Sequence, residues 1–183
     1  MKIKPKKSLG QNFLIDKNII SFIVDSGNIK KDDTLIEVGP GTGNLTKEIV
    51  SRKFKKLILI EKDKNLSIEL KKKFDDKIEL INNDILEVDE KKLSKDQMII
   101  FGNLPYNIST QILAKWIKLK DLNLICKKLI LMFQKEVADR IIAEHGSKNY
   151  GRLSILSSWK MNIKKIKDIS PNSFFPSPKI KST

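Results

Sequence analysis

The chain has 183 residues, enough for one domain with a substantial core, and its composition is 40% hydrophobic and 32% charged. This balance is typical of a soluble globular protein and argues against a disordered or membrane-spanning chain. The 36 Lys and Arg residues outnumber the 22 Asp and Glu residues, so the net charge is +14. Such a charge predicts a polyanionic partner, RNA or DNA first, although an AT-rich coding sequence also produces many lysines.

The scarcest residue types exclude several kinds of site. One cysteine, Cys126, cannot form an intramolecular disulfide, and one histidine, His145, cannot build a Cys/His metal cluster. We therefore expect no metal, with only a carboxylate Mg²⁺ site left open. No apolar stretch approaches the roughly 18 residues of a transmembrane helix. The lysine-rich start, Met1 to Lys7, lacks the apolar segment of a signal peptide, so we expect a cytoplasmic protein without membrane contact.

Predicted strands and helices alternate along the chain. Apolar spacing predicts helices that begin near Asp16, that carry Leu66 to Phe74, that follow a cap at Ser109 or Thr110, and that start at Phe133. The predicted buried strands are Thr34 to Val38, Leu57 to Ile60, Ile78 to Asn82, Met98 to Phe101 and Lys128 to Phe133. This alternation predicts an α/β fold, Rossmann-like, with a mostly parallel sheet and helices on both faces.

A glycine-rich turn, Glu37 to Gly43, follows the first strand of this sheet. Its glycines, Gly39, Gly41 and Gly43, would let a ligand approach the backbone closely. The turn opens a helix, as in folds that bind dinucleotides.

Acidic residues follow the next two strands. Glu61 comes 22 residues after Gly39, where its carboxylate can accept both hydroxyls of a ribose. Asp84 can accept from an adenine amino group, with Ile85 offering an apolar surface to the ring. Because the carboxyl ends of parallel strands share one edge of the sheet, these residues predict a nucleoside site there.

Two cofactors compete for this site. A nicotinamide dinucleotide fits a glycine turn followed by an acidic residue. However, the spacing Gly-x-Gly-x-Gly, with Pro40 inside, departs from the G-x-G-x-x-G phosphate loop. S-adenosylmethionine has no pyrophosphate to hold and needs a close, neutral backbone wall, so we expect this methyl donor.

The tetrapeptide Asn103-Leu104-Pro105-Tyr106 follows the fourth strand of the sheet. It suits the presentation of adenine N6, which is a poor nucleophile because its lone pair is delocalised into the ring. The Asn103 carboxamide oxygen and the Leu104 carbonyl could each accept one N6 hydrogen bond, while Tyr106 stacks on the base. Pro105 stiffens this backbone and removes a donor. The alternative interpretation is a strand followed by an ordinary proline turn.

The last segment is less regular. Trp159 to Ile169 could hold one more strand, and Ser170 to Thr183 is rich in Ser, Pro and Lys. Another strand is expected to begin at Lys179 to Thr183, where the sequence stops. We therefore expect residues 1–183 to be a catalytic domain truncated before further structure.

Four segments resemble the ordered motifs of the KsgA/Erm rRNA adenine N6-dimethyltransferases: Lys7 to Leu14, Glu37 to Gly43, Gly102 to Thr110 and Phe174 to Ser182. The resemblance covers essentially the whole chain and is nearest to the KsgA type. It implies a class I S-adenosylmethionine-dependent methyltransferase fold. It also implies dimethylation of two adjacent adenosines in the 3′-terminal hairpin of small-subunit rRNA, late in subunit assembly. Family members carry a further strand and a small helical domain after this region.

Several residue roles are implied by the resemblance. Asn12 and Leu14 would close over the methionine part of the cofactor, which Gly39 would line, and Asn103 would contact both the cofactor and the target N6. Phe174 would stack the extruded adenine opposite the motif's tyrosine. The implied partner is small-subunit rRNA within an immature ribosomal subunit, bound by a monomer. The suggested phosphate contacts are Lys4, Lys6, Lys7, Arg140, Arg152 and Lys179.

Two other functions stay open. An Erm-like enzyme that methylates large-subunit rRNA, and so confers antibiotic resistance, fits the Asn-Leu-Pro-Tyr motif equally well. The segment Tyr150 to Arg152 and the lysine-rich start favour the small-subunit enzyme. A non-catalytic assembly or transcription factor could keep the fold to bind nucleic acid, but it would not need Glu61, Asp84 and Asn103 together.

Four further side chains are interpreted as structural. His145 is expected at a helix end rather than as a general base. Cys126 is expected to be inert. Trp116 and Trp159 sit among apolar neighbours, so we expect both in the core.

Overall fold

A computed structural model describes residues 5–6 and 10–183 of the chain. Its central sheet has five parallel strands in the spatial order β4-β3-β2-β5-β6. These strands are β2 (Thr34–Val38), β3 (Lys56–Ile60), β4 (Glu79–Ile81), β5 (Met98–Asn103) and β6 (Cys126–Met132). All five predicted strands therefore form, with small shifts at their ends, and the expected α/β class is confirmed.

Helices connect these strands on both faces of the sheet. They are α1 (Lys17–Ser26), α2 (Asn44–Ile49), α3 (Lys64–Phe74), α4 (Ser109–Lys118), α5 (Leu122–Ile125), α6 (Lys135–Ile141) and α7 (Arg152–Lys160). Asp16 caps α1 by accepting from the Asn18 and Ile19 amides, as the predicted start near Asp16 requires.

Two predicted helix starts were wrong. Ser109 is already helical, and its hydroxyl donates to the Tyr106 carbonyl instead of capping α4. Phe133 precedes α6, which begins at Lys135. Boundaries of this kind depend on the backbone geometry of the preceding loop, which apolar spacing does not report.

Successive side chains of the strands enter two separate hydrophobic cores. The core under α1, α2 and α3 takes Leu35, Leu57, Leu59, Ile99 and Phe101 from the sheet. The core under α4 and α6 takes Ile36, Ile58, Ile60, Met98 and Ile100. Because the strands are buried on both faces, their sequences are continuous apolar runs rather than alternating ones.

The parallel register aligns the ends of the strands. Val38 of β2 pairs with Ile60 of β3 on one side and with Gly102 of β5 on the other. Ile60 in turn pairs with Ile81 of β4. The chain segments that leave these strands therefore begin side by side at one edge of the sheet, where the chain order reverses around β2.

The strand predicted within Trp159 to Ile169 does not form. Trp159 belongs to the end of α7, and residues 161–168 adopt neither helix nor strand. Ile169 makes a single antiparallel bridge, with its amide 2.7 Å from the Ser182 carbonyl. A strand requires a ladder partner for its backbone, and the described residues offer 161–168 none.

The two tryptophans have opposite environments. Trp116 is completely buried beneath the sheet, as predicted. Trp159 is 72% exposed, so its predicted core position was wrong. Without a neighbouring strand, no apolar surface covers this end of α7 in the described part of the chain.

A short antiparallel ribbon joins β1 (Phe13–Leu14) to β7 (Phe174–Phe175). Phe174 pairs with Leu14 and is 2% exposed, within the core under α1 to α3. Phe175 pairs with Phe13 and is 58% exposed. Because successive side chains of a strand point to opposite faces, one phenylalanine is structural and the next faces solvent.

We predict that Phe174→Ala lowers the free energy of unfolding by about 3–5 kcal/mol, because it opens a cavity in the core. Phe175→Ala should change this free energy by about 0.5 kcal/mol or less. Urea unfolding of both variants, followed by circular dichroism, measures the difference. Equal losses in the two variants would contradict the burial of Phe174.

Candidate active site

A cleft opens at the carboxyl edge of the sheet. Four strand ends and the N-terminal segment at 10–14 form its walls. The predicted site residues that line it are Asn12, Leu14, Gly39, Gly41, Glu61, Asp84, Ile85, Asn103, Leu104, Pro105 and Tyr106. Gly43 and Phe174, also predicted, do not line it.

The glycine turn forms a wall of bare backbone. Gly39 and Gly41 have φ angles of +68° and +58°, a region that disfavours any side chain. A Cβ atom on Gly41 would lie 2.8 Å from the Phe13 ring, which leaves no room for one. Gly39 and Gly41 both line the cleft, so bare backbone is available there for a ligand, and their contact with the cofactor stays a prediction.

Gly43 has a different reason to be glycine. A Cβ atom there would lie 2.7 Å from the Phe74 ring and 2.9 Å from Leu70, both on α3. This glycine permits close packing against α3, because its φ is +78° and its neighbours leave no space. Gly43 does not line the cleft, and its contact with the cofactor stays a prediction.

Glu61 is a buried carboxylate whose two oxygens are both oriented by backbone amides. Oε2 accepts from the Gly41 amide at 3.2 Å and Oε1 from the Asp63 amide at 2.8 Å. Burial raises the pKa of Glu61, although both amides oppose the shift. Each oxygen retains a lone pair, so the geometry suits a pair of ribose hydroxyls.

The pKa of Asp84 is shifted in the opposite direction. Its carboxylate pairs with Lys62 Nζ at 2.7 Å and accepts from the Leu86 amide at 3.0 Å. Burial acts against ionisation, but these donors outweigh it and keep the pKa of Asp84 below its usual value. An ionised carboxylate only accepts hydrogen bonds, which suits an adenine amino group. Ile85 is buried beside it in the cleft wall.

The carboxamide nitrogen of Asn103 is already hydrogen-bonded within the protein. Nδ2 donates to the Asn12 carbonyl at 2.9 Å, which ties the motif to the N-terminal segment. Oδ1 is then the carboxamide atom left to accept from a substrate. The neighbouring Pro105 carbonyl accepts from the Ile108 amide, whereas the Leu104 carbonyl has no backbone partner among the described residues. Asn103 Oδ1 and the Leu104 carbonyl are therefore acceptors available in two residues that line the cleft, and their contact with N6 stays a prediction.

Tyr106 is anchored through its hydroxyl, which lies 2.6 Å from Ser182 Oγ. Burial raises the pKa of this phenol despite the Ser182 contact, so it stays protonated at neutral pH. The anchored ring is half-buried at the cleft, where a base could stack on it.

The structure places Phe174 away from the cleft surface, and its predicted stacking role stays a prediction. Its ring lies in the core, outside the cleft lining, and offers no exposed face to a base. Alternation along β7 turns Phe174 inward and Phe175 outward, a direction that the sequence pattern leaves undetermined.

Sequence reasoning missed a contact that fixes the N-terminal segment. Lys6 Nζ pairs with Asp63 Oδ2 at 2.8 Å, and Gln11 Nε2 donates to the same oxygen at 3.3 Å. This joins the cleft wall to the helix cap just beyond Glu61. No sequence signal indicates it, because Gln11 and Asp63 are 52 positions apart.

The predicted phosphate contacts have different outcomes. Lys6 is engaged by Asp63, whereas Arg140, Arg152 and Lys179 are exposed. Lys4 and Lys7 lie outside the described residues. The phosphate-binding role of all six stays a prediction.

The two other reactive side chains, His145 and Cys126, lie outside the cleft. His145 sits in an exposed turn beyond α6, with its ring 5.3 Å from that of Tyr150. Burial raises the pKa of the Cys126 thiol to about 12, so it is not a thiolate at neutral pH. Within 5–6 and 10–183, no three His, Cys, Asp or Glu side chains cluster as metal ligands, and no helix is long and apolar enough to cross a membrane.

The cleft fits S-adenosylmethionine. It offers a close glycine wall, a buried acceptor for ribose hydroxyls and an ionised acceptor for an amino group. The fold and this cleft define a class I S-adenosylmethionine-dependent methyltransferase. The ribosomal RNA adenine dimethylase family matches residues 2–183. The chain belongs to this family of S-adenosylmethionine-dependent rRNA adenine dimethyltransferases, as the resemblance implied.

Individual relatives agree with this assignment. The chain is 57% identical over 183 residues to ribosomal RNA small subunit methyltransferase A of Pelagibacter ubique, covering 100% of this chain and 70% of the relative. The protein of the same name from Wolbachia pipientis subsp. Culex pipiens is 46% identical over 184 residues, covering 99% and 69%.

Two solved structures share the fold. A dimethyladenosine transferase from Plasmodium falciparum has a TM-score of 0.82 at 32% identity, and the alignment covers 93% of this chain and 60% of that one. The 23S rRNA methyltransferase ErmE has a TM-score of 0.75 at 25% identity, covering 93% and 67%. This chain thus spans three fifths to two thirds of these two structures.

Glu37 is a second buried acid in the cleft wall. Its Oε2 accepts from the Thr46 hydroxyl at 2.7 Å. Burial raises the pKa of Glu37 to about 8; the Thr46 hydrogen bonds oppose this shift and the nearby Glu61 contributes to it. Glu37 is therefore mostly protonated at neutral pH.

We predict that stability falls with pH because of Glu37. Between its usual pKa of 4.5 and about 8, the folded chain holds a proton that the unfolded chain releases. The stabilising contribution is fully present below 4.5 and is lost as pH rises through about 8. Glu37→Gln cannot ionise, so its free energy of unfolding should fall less from pH 5 to pH 9, by on the order of a few kcal/mol.

Urea midpoints at several pH values for the wild type and Glu37→Gln measure this difference. The exposed Glu69→Gln is the matched control and should follow the wild type. Parallel pH profiles for wild type and Glu37→Gln would show that Glu37 is ionised in the folded state.

Proposed function

We propose that this chain methylates N6 of two adjacent adenosines in the 3′-terminal hairpin of small-subunit rRNA, giving N6,N6-dimethyladenosine late in subunit assembly. The observation that carries the proposal is the Asn103 bond to Asn12, which engages Nδ2 and leaves Oδ1 as the free carboxamide atom of a residue that lines the cleft. The Leu104 carbonyl, also in the cleft lining, has no backbone partner among the described residues. The relatives named small subunit methyltransferase A support small-subunit rRNA as the substrate.

The two acceptors explain how an unreactive amine is activated. When both N6 hydrogens are accepted by Asn103 and Leu104, the nitrogen lone pair is drawn out of conjugation and directed toward the cleft. S-adenosylmethionine, when bound, supplies an electrophilic methyl group on sulfur. The sulfonium would leave as S-adenosylhomocysteine, so the main requirement on Asn103 and Leu104 is to align N6 with that methyl carbon.

No side-chain base is required for this reaction. The methylated nitrogen is a strongly acidic ammonium and loses its proton to water. The monomethylated amine keeps one N–H group, which either acceptor can hold during the second transfer. The absence of His145 from the cleft is consistent with this.

Base access and RNA binding complete the proposal. The target adenine must leave its helix to reach the cleft, and the anchored Tyr106 ring is the surface on which it would stack. The net charge of +14 favours rRNA binding, with Arg140, Arg152 and Lys179 exposed for phosphate contacts. We propose a cytoplasmic monomer that acts on an immature small subunit, with residues 1–183 as its catalytic domain.

A second candidate function is methylation of large-subunit rRNA. The similarity to the 23S rRNA methyltransferase ErmE favours it. The higher identity to small-subunit enzymes ranks it below the first.

We predict that Asn103→Ala reduces methyl transfer by about 100-fold or more, because one of the two N6 acceptors is lost. Transfer of labelled methyl groups from S-adenosylmethionine to immature small subunits measures this effect. The matched control is Asn123→Ala, at an exposed asparagine of α5, 20 positions after Asn103. This variant should transfer methyl groups as the wild type does.

The same assay on large-subunit rRNA separates the two candidates. Label confined to small-subunit adenines supports the first proposal. Label only in the large subunit supports the Erm-like function. No label in either RNA, with cofactor still bound, rejects both rRNA assignments and favours a non-catalytic factor or another substrate.

A further inference from the structure

Lys115 is a lysine of α4 whose ammonium is directed into the protein. Nζ donates to the Ile85 carbonyl at 2.6 Å, to the Val88 carbonyl at 2.5 Å and to Glu90 Oε1 at 2.7 Å. An ammonium has three donors, and all three are used. Surface lysines rarely have such a set, because water normally satisfies them.

A buried carboxylate completes this network. Glu90 is 2% exposed, and its Oε1 also accepts from Trp116 Nε1 at 2.7 Å. Trp116 is fully buried and follows Lys115 in α4. We call this set the Lys115 clamp: Lys115, Trp116, Glu90 and the carbonyls of Ile85 and Val88.

The segment held by the clamp forms the adenine end of the cofactor cleft. Asp84 and Ile85 line the cleft, and the backbone continues through two single 3₁₀ turns, Ile85–Glu87 and Glu90–Lys92. Such short turns have little stability of their own. The Lys62–Asp84 ion pair is too solvent-exposed on its lysine side to hold the segment firmly.

We propose that Lys115 is a positioning residue that sets the adenine end of the cofactor cleft. It lies outside the cleft lining and acts through Ile85 and, next to it, Asp84. The proposal rests on the assignment of this cleft to S-adenosylmethionine and is independent of the RNA substrate. Because α4 begins at Ser109, with two residues between it and the Asn-Leu-Pro-Tyr motif, the clamp also fixes the adenine end relative to the methyl acceptor.

A single substitution of Lys115 would change both the stability of the fold and the position of the cleft wall. Lys115→Met leaves the Glu90 carboxylate buried without its cation, which destabilises the whole fold. The double variant Lys115→Met/Glu90→Gln removes both charges and keeps an oxygen for Trp116 Nε1. Its stability should return toward the wild type, while the Ile85 and Val88 carbonyls still lack their donor.

The experiment measures ligand binding to this chain by calorimetry, without RNA. In the double variant we expect the dissociation constants of S-adenosylhomocysteine and of adenosine to rise by the same factor, roughly tenfold. The two dissociation constants should rise by the same factor because adenosine consists of the adenine and ribose alone. The lost affinity therefore comes from the adenine end of the cleft and not from the homocysteine part of the other ligand. Hydrogen exchange of the amides at 85–90 should be faster in the free double variant. The matched control is Lys91→Met, which removes the neighbouring exposed ion pair with Asp121 and should bind like the wild type.

Each outcome decides the proposal. Weaker binding of both ligands by a double variant with a wild-type urea midpoint supports it. Recovery of wild-type affinity together with stability would show that Lys115 is merely structural and overturns it. If the wild-type chain binds neither ligand, the cofactor assignment of the cleft fails, and the proposal fails with it.

Discussion

The in-register parallel pairing of β2 with β3 and β5 is the constraint on which the cleft depends. It places Val38, Ile60 and Gly102 at one level, so that the glycine turn, Glu61 and Asn103 leave the sheet side by side. Both faces of these strands are buried, and a slip of one residue would exchange the side chains of the two cores. The packing that stabilises the fold therefore also fixes the geometry of the site.

Long-range contacts then hold the flexible parts of the cleft on this sheet. Asn103 binds the N-terminal segment through the Asn12 carbonyl, and Tyr106 binds Ser182 near the other end of the sequence. The methyl-acceptor motif is thus held from both sides. The contacts proposed for Asn103, with the cofactor and with the target base, would let one residue align two reactants.

The acids of the cleft differ in the direction of their pKa shifts. Burial raises the pKa of Glu37 and of Glu61, whereas the Lys62 and Leu86 donors lower that of Asp84. Glu61 has only amides as described partners, and Asp84 has a cation. The two acids proposed to bind the ribose and the adenine amino group therefore differ because of where each strand ends and what surrounds its last side chain.

The sequence by itself determined the five strands, the glycine turn, the acids after the strands and the acceptor motif. Each of these is local: apolar runs report buried strands, and a residue directly after a parallel strand must lie at the binding edge. Only the tertiary structure decided that Phe174 faces the core, that Gly43 faces α3, that 161–168 lack a strand, and that Lys115 meets Glu90. The physical reason is that composition and spacing identify apolar or charged residues, whereas the face they take and the partner they meet depend on segments distant in the chain.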